Sequence, residues 1–273
     1  MKITKILALI LAVIMAVLPL AACGTDSDGK KDDGAKEKKT DLEYVQDKGK
    51  LVIGMTEYPP MNYRDDNGEW IGFDTEFAYL VADELGVEVE FVEIVWNTKW
   101  FALETKDIDC VWNGMTLTDE AQANASCTDT YVINAQTVVV KADKDGEYVD
   151  ADSLKGKKVA VEVESAGLSA AEAAGFDVVE YPSQADAIMA VETGKAEACV
   201  IDITMANNMT GEGKTYKNLK TAFTLTEEEY AIACRKGSDI TEKINEIMQD
   251  LIDDGTLATL ADKYELTLVA EAE

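Results

Sequence analysis

The chain has 273 residues, of which 53 are acidic and 25 are basic, so its formal net charge is −28. Such a charge disfavours nucleic acid, and we predict no nucleic-acid partner. Histidine is absent, which removes the commonest general base and the commonest zinc ligand. We therefore predict no metal site, no cofactor and no enzymatic activity.

The N-terminus has the pattern of a signal peptide over residues 1–22. Lys2 and Lys5 precede an uncharged apolar run that is short for a membrane-spanning helix. The run ends in Leu20-Ala21-Ala22-Cys23, which resembles the bacterial lipobox and implies that Cys23 becomes a lipid-modified N-terminus carrying palmitate. An ordinary secretory signal cleaved nearby is the alternative. We predict a protein that is lipid-anchored on the extracytoplasmic face of the cell membrane.

Residues 23–40 are predicted to form a flexible tether. The segment from Gly24 to Thr40 is rich in Gly, Asp, Lys and Ser and has no large apolar residue. Such a segment buries too little surface to offset its ordering entropy. We therefore expect the folded part to begin near Leu42.

Strands and helices alternate along the rest of the chain, which predicts an α/β fold with parallel sheets covered on both faces. A first series has strands at 50–55, 87–94 and 108–112, helices at 75–85 and 98–105, and a loop at 113–116. Asp74 is predicted to cap the helix at 75–85. After a strand at 135–141, a second series has strands at 159–163, 178–181 and 198–202 and helices at 168–174, 184–193 and 203–209. A strand at 230–235 and helices at 239–253 and 257–264 close the chain.

The repeated β-α-β pattern also predicts where a ligand binds. In open α/β sheets, ligands bind beyond the carboxyl ends of the strands. Two such edges that face each other would form a cleft. The four later cysteines show no metal-type spacing, and free core thiols are favoured over a disulfide at Cys110, Cys127, Cys199 and Cys234.

Several stretches, in this order, resemble the amino-acid-binding family of extracellular solute-binding proteins, family 3, the receptors of ABC importers. The resemblance covers nearly all of Leu51 to Leu266. The matching stretches are VIGM-TEYPPMNY, GFDTEFAYLVADELGVEVEFVEI, DIDCVWNGMTLTDE, LKGKKVAVEVESAG, ETGKAEACVID, EEEYAIACRKGSD and DGTLATLADKYEL.

The resemblance implies a periplasmic-binding-protein-like fold of type II, with two α/β lobes joined by two crossover strands. Mapped onto this chain, lobe 1 would comprise 41–134 and 228–273, and lobe 2 would comprise 135–227. The lobes of this family close on the ligand by hinge bending.

The resemblance also implies a set of ligand-binding positions in lobe 1. Tyr58 matches an aromatic residue that stacks on the ligand, and Trp96 matches a large residue that forms the opposite wall. Glu57 lies beside an acidic position that meets the ligand side chain in many members. Gly114 and Thr116, within the segment Asn113-Gly114-Met115-Thr116, match residues that hold the ligand's ammonium and carboxylate. The alternatives are a surface aromatic for Tyr58, core packing for Trp96 and a plain turn for the segment.

In lobe 2, Ser165 and Ala166 match residues at the start of a helix whose free N–H groups favour a carboxylate. Asp202, at a strand end, matches the acidic residue that pairs with the α-ammonium. Ordinary helix capping is the alternative for both Ser165 and Asp202.

The sequence departs from the family at one position. The family usually has an arginine shortly after the Thr116 segment, where it holds both carboxylate oxygens. Here Thr118-Asp119-Glu120 leads to Ala121. Two explanations stay open: backbone N–H groups and a lysine such as Lys99 hold the carboxylate, or the ligand is not a standard α-amino acid.

The predicted function is that of a monomeric receptor that captures a small polar ligand, an amino acid or close analogue, and delivers it to an ABC transporter permease. One alternative is a dehydratase-like enzyme of the same fold that uses the carboxylates of Glu57, Glu164 and Asp202 for acid-base chemistry. A sensory module or a surface adhesin is the other alternative.

Overall fold

The computed structural model describes residues 39–144 and 146–271. The predicted signal peptide, most of the tether and Cys23 lie outside these residues. Within the described part of the chain, no helix is both long enough and apolar enough to span a membrane.

The first half of the described chain forms five helical segments and six strands that alternate. Their bounds are α1 (Asp41–Lys48), β1 (Lys50–Met55), β2 (Tyr63–Arg64), β3 (Trp70–Ile71), α2 (Phe73–Leu85), β4 (Glu88–Glu93), a 3-10 turn (Trp96–Thr98), α3 (Lys99–Thr105), β5 (Cys110–Thr116), α4 (Asp119–Asn124) and β6 (Ala125–Cys127).

The second half continues the alternation and ends in two helices. Its main elements are β7 (Val132–Lys141), β8 (Lys158–Glu162), α5 (Ala166–Ala173), β9 (Asp177–Tyr181), α6 (Gln184–Glu192), β10 (Ala198–Asp202), α7 (Ile203–Met209), β11 (Leu219–Arg235), α8 (Ile240–Asp253) and α9 (Thr256–Lys263).

Two parallel groups of strands are joined by a long antiparallel pair. The strand order is β4-β1-β5-β11-β7-β10-β8-β9, with β6 added to β11. Strands β4, β1 and β5 run parallel in the first lobe, and β10, β8 and β9 run parallel in the second. Strands β7 and β11 pair with each other from Val132↔Tyr230 to Lys141↔Leu219 and connect the lobes. This arrangement confirms the predicted two-lobed α/β fold, whereas the exact lobe boundaries, which fall inside these strands, stay a prediction.

Helix α2 shows how the sequence pattern becomes packing. Phe77, Val81 and Leu85 recur at helical spacing and are buried in the first-lobe core. The ring of Phe77 meets that of Trp112 edge-on, with centroids 4.9 Å apart. This contact fixes the helix against β5, the strand that carries four of the predicted ligand positions.

Two local predictions were wrong. Helix α2 begins at Phe73 and Gly72 is its N-cap residue, so Asp74 is not a cap and instead bonds a distant strand. Residues 113–116 are not a loop, because antiparallel pairing of Thr116 with Tyr230 extends β5 through them. The pairing register of β11 against β5 shifts between Ala231 and Ala233.

The cysteine prediction agrees with the structure. All four described cysteines are free thiols, and three of them are buried as expected: Cys110, Cys199 and Cys234. Burial raises the pKa of the Cys234 thiol to about 12, so it stays a neutral apolar group.

Candidate functional site

A cavity of about 320 Å³ lies between the two lobes. It is bordered by the carboxyl-terminal ends of β5, β8 and β10 and by the first turns of α3, α4 and α5. Of the ten predicted ligand positions, nine line it: Tyr58, Trp96, Asn113, Gly114, Met115, Thr116, Ser165, Ala166 and Asp202. The structure therefore brings these residues together, and their roles towards a ligand stay a prediction.

Glu57 is the exception. Its side chain is exposed, and it is not among the residues that line the cavity. Neighbouring residues of extended backbone point to opposite sides. Since Tyr58 is buried and turned inwards, Glu57 points to solvent, and the structure does not support its assignment to the site.

The floor of the cavity is built around Gly114. Its N–H donates to a carboxylate oxygen of Asp74 over 2.6 Å, and the hydroxyl of Tyr131 donates to the other oxygen over 2.9 Å. Burial raises the pKa of the Asp74 carboxyl to about 7. Gly114 has a φ of +54°, and a Cβ there would lie 2.6 Å from Cε1 of Tyr58.

We expect Gly114→Ala to destabilise the protein by roughly 2 kcal/mol, because it adds a strained left-handed residue and a clash with the Tyr58 ring. Displacement of this ring should also weaken ligand binding about tenfold. Gly68→Ala is the matched control, since Gly68 has a φ of +84° and a Cβ added there would meet no atom within 4 Å. Thermal unfolding and calorimetric titration measure both effects. An equal loss of affinity in the two variants would contradict the role of the Gly114–Tyr58 contact.

Asn113 holds the segment that carries Tyr58. Its amide nitrogen donates to the carbonyl of Thr56 over 2.9 Å and to the side chain of Asn62 over 2.8 Å. Its amide oxygen accepts from the N–H and the hydroxyl of Thr56. The side chain of Asn113 is thus fully engaged with protein, which leaves it a positioning role.

Asp202 lies at the end of β10 and is the centre of a buried polar network. One carboxylate oxygen accepts from Asn134 and from Gln136, each over 2.6 Å, and the other accepts from Gln184. Burial, together with the charge of Glu228, raises the pKa of the Asp202 carboxyl to about 7. The side chain makes no capping bond to α7, so the capping alternative is not supported.

The same network reaches the first lobe through Glu228 in β11. Its carboxylate accepts from Asn134 over 2.6 Å, from Gln136 over 2.7 Å and from the hydroxyl of Thr116 over 2.7 Å. Asn134 and Gln136 are in β7. Of these residues Gln136 lines the cavity, and Glu228 of β11 lies behind it as an acceptor that both β7 side chains share.

The first turn of α5 faces the cavity from the second lobe. The hydroxyl of Ser165 accepts from the N–H of Leu168 over 3.0 Å and donates to the carbonyl of Glu162 over 2.8 Å. Ser165 is therefore a helix cap, which agrees with the alternative interpretation of this residue. The next two N–H groups, of Ala166 and Gly167, have no partner within the helix.

Lys99, the first residue of α3, brings a cation to the cavity. Its Nζ donates to the carbonyl of Trp96 over 3.4 Å and to the carbonyl of Glu164 over 3.3 Å. It also lies 4.7 Å and 5.0 Å from the ring centroids of Trp96 and Trp100. Burial lowers the pKa of the Lys99 ammonium.

The cavity is acidic. Among the described residues that line it, Lys99 is the one cation, and Ala121 occupies the region where the family resemblance predicts an arginine. Five acidic residues line the same space: Asp119, Glu120, Glu162, Glu164 and Asp202.

Residues 51–267 match the model of the bacterial extracellular solute-binding proteins, family 3. The chain belongs to this family. The resemblance recognised from the ordered sequence stretches is therefore confirmed.

Individual relatives are similar over most of their length. The chain is 31% identical over 231 residues to the L-cystine-binding protein TcyJ of Escherichia coli, covering 82% of this chain and 85% of that protein. It is 32% identical over 270 residues to the ABC transporter glutamine-binding protein GlnH of Bacillus subtilis, covering 95% and 97%. Among solved structures, an ancestral amino acid-binding protein that is a precursor of cyclohexadienyl dehydratase superposes with a TM-score of 0.75 at 30% identity, covering 83% and 99%.

Sequence reasoning missed several residues that line the cavity of this family member. Gln136, Gln184 and Trp100 carried no signal, because strand and helix patterns do not show which polar side chain points into a cleft. The position of Glu162 did carry a signal in the sequence. It ends the parallel strand β8 just as Asp202 ends β10, and the strand-end argument applies to both residues.

Proposed function

We propose that this protein is an extracytoplasmic receptor that captures an amino acid or a close analogue between its lobes and delivers it to an ABC transporter permease. The observation that carries the proposal is the cavity itself. It brings the buried carboxylate of Asp202 and the aromatic side chains of Tyr58 and Trp96 to one cavity. The family membership and the amino-acid-binding relatives support the same function.

Asp202 is the proposed partner of the ligand's α-ammonium. It is 4% exposed, and its carboxylate accepts hydrogen bonds from the neutral side-chain amides of Asn134, Gln136 and Gln184. A ligand ammonium would add the cation that this carboxylate lacks, in a site where water no longer competes.

The ligand's α-carboxylate would meet the first turn of α5 and Lys99. The unpartnered N–H groups of Ala166 and Gly167 and the positive end of the helix dipole favour an anion there. The ammonium of Lys99 has carbonyl acceptors and no carboxylate partner among the described residues. Together the N–H groups of α5 and the Lys99 ammonium would replace the arginine that the family usually has in the region of Ala121.

Closure would be controlled by contacts that cross between the lobes. The hydroxyl of Tyr58 bonds the hydroxyl of Thr204 over 2.5 Å and also that of Tyr230. Lys99 reaches across to the carbonyl of Glu164. We propose that these contacts hold the closed form and that β7 and β11 bend to release it.

For the cellular context, we propose a monomer that is anchored by palmitate-carrying lipid on Cys23 after removal of residues 1–22. Support for the anchor comes from the Leu20-Ala21-Ala22-Cys23 pattern alone. Residues 23–40 would then hold the receptor near its permease on the outer face of the cell membrane.

Isothermal titration of ligand-free protein with each L-amino acid tests the proposal. We expect at least one to bind at micromolar affinity or tighter and to be recovered unchanged after long incubation. The same titration of Lys99→Met should give roughly tenfold weaker binding if the lysine meets the carboxylate. Failure of all amino acids to bind would refute the proposal.

A cleft enzyme is the second candidate. The pKa of the Asp202 carboxyl is about 7 and that of Glu162 is about 8, and groups with such values are suited to acid-base catalysis near neutral pH. The solved precursor of a dehydratase has the same fold. Chemical change of the bound molecule during the incubation above would favour this function over the receptor.

A further inference from the structure

Glu162 is a buried carboxylate that has no hydrogen-bond or ion-pair partner in the part of the chain that the structure describes. Its residue is 5% exposed and lines the cavity at the end of β8. No hydrogen bond or ion pair to this carboxylate occurs among the described residues. The other buried acids in the described chain are all paired: Asp74 with Gly114 and Tyr131, Asp109 with Lys48 and Arg235, and Asp202 with three amides.

The residues described around Glu162 include two acids, and the lysine beside it forms no ion pair with it. Strand β10 presents Asp202 and helix α6 presents Asp186, and both charges oppose ionisation. On β9 its neighbour is Tyr181. The cation that acts on it, Lys99, is held by two carbonyl oxygens and forms no ion pair with it.

Burial therefore dominates, and it raises the pKa of the Glu162 carboxyl to about 8. Near neutral pH the empty protein keeps this group protonated. A cation that binds beside a buried protonated acid lowers the pKa of the acid, because an opposite charge at close range favours the ionised form.

We propose that Glu162 receives a second protonated nitrogen of the ligand, separate from the α-ammonium assigned to Asp202, so that the ligand carries at least two cationic nitrogens. This inference rests on the proposed function and adds a substrate class to it. The described residues that line the cavity include five acids and one lysine, and a ligand with one ammonium would leave Glu162 unpaired.

The proposal includes a proton transfer. In the empty protein, Glu162 holds a proton on its carboxyl oxygen. When the ligand's second nitrogen arrives already protonated, the Glu162 O–H bond breaks, the proton passes to solvent, and the carboxylate pairs with the ligand cation. Binding at pH 7 should therefore release up to about one proton per ligand.

The test compares ligands of matched shape. L-arginine and L-citrulline differ in carrying a guanidinium or a neutral urea group, and L-lysine, L-cystine and cadaverine each carry two protonated nitrogens. Each is titrated into the wild type, Glu162→Gln and the control Glu180→Gln, which removes an exposed acid of β9 outside the cavity. Titrations in two buffers of different ionisation enthalpy measure the proton released.

We expect at least one ligand with two cationic nitrogens to bind the wild type, and Glu162→Gln to weaken it by roughly 10- to 100-fold. The affinity for citrulline should change less than about threefold in Glu162→Gln, and Glu180→Gln should behave as the wild type. Proton release should fall in Glu162→Gln by up to about one proton per ligand, and the remainder comes from Asp202, whose carboxyl has a pKa of about 7. Binding of the amino acids would identify a dibasic amino acid. Binding of cadaverine alone, weakened by Glu162→Gln, would support the pairing of Glu162 with a cation and refute the proposed amino-acid receptor.

The inference is overturned if none of the ligands with two cationic nitrogens binds, or if Glu162→Gln leaves their affinity unchanged. It is also overturned if Glu162→Gln weakens arginine and citrulline equally. Binding of a neutral amino acid in those cases would leave the proposed receptor function intact. Thermal unfolding of Glu162→Gln is the control for folding. A cooperative transition at or above the midpoint temperature of the wild type shows that a loss of affinity does not arise from a loss of fold.

Discussion

Asp202→Ala is expected to weaken binding of the ligand by roughly 100-fold or more. Removal of one partner of a buried charge pair costs about 3 kcal/mol or more, which is a factor of about 100 in affinity. The variant also removes the acceptor of the Gln184 amide nitrogen, whereas Asn134 and Gln136 keep Glu228 as an acceptor. Calorimetric titration with the best ligand of the wild type measures the effect.

Asp177→Ala is a matched control, because it removes an exposed acid of β9 in the same sheet. Its affinity should stay within about threefold of the wild type. The assignment of the α-ammonium to Asp202 fails if the two alanine variants bind the ligand equally well. It also fails if Asp202→Ala weakens binding of the N-acetyl form, which lacks the ammonium, by as large a factor as binding of the methyl ester, which keeps it.

The fold was predictable because its signals are local or ordered along the chain. Phe77, Val81 and Leu85 repeat at helical spacing, and Val159 to Val161 form a short apolar run typical of a buried parallel strand. Alternation of such elements restricts the topology to a small set. The ordered stretches from Leu51 to Leu266 then selected one member of that set.

The errors arose where a distant partner decides the local structure. Residues 113–116 have the turn-forming composition of a loop, yet pairing with β11, more than a hundred positions later, makes them strand. Asp74 precedes a helical pattern and resembles a cap, yet its carboxylate is used 40 residues away at Gly114. Neither contact leaves a local trace in the sequence.

The candidate site was predictable in position and less so in chemistry. The rule that ligands bind beyond the carboxyl ends of strands places Asp202 correctly at the cavity. It does not show that the donors around Asp202 come from β7 or that Glu228 in β11 shares them. Those contacts depend on the path of two long strands between the lobes, which only the three-dimensional structure shows.

Glu162→Gln is expected to stabilise the ligand-free protein at alkaline pH and to have little effect at acid pH. The pKa of the Glu162 carboxyl rises from 4.5 in its ordinary state to about 8 in the folded protein. Between these values the unfolded chain has released the proton that the folded chain retains, so wild-type stability falls as pH rises. Each pKa unit is worth about 1.4 kcal/mol, so the loss approaches roughly 4 kcal/mol by pH 8.

Glutamine does not titrate and has nearly the same shape, so the variant should avoid this loss. Its free energy of unfolding should match that of the wild type near pH 4, exceed it increasingly above pH 4.5, and level off above pH 8, with a midpoint temperature raised by roughly 10 °C. Because the net charge of −28 also destabilises the folded chain as pH rises, Glu180→Gln is measured beside it and should follow the wild type. If the free energy of unfolding has the same pH dependence in all three proteins from pH 4 to pH 9, the buried Glu162 carboxyl does not destabilise the ligand-free protein at alkaline pH.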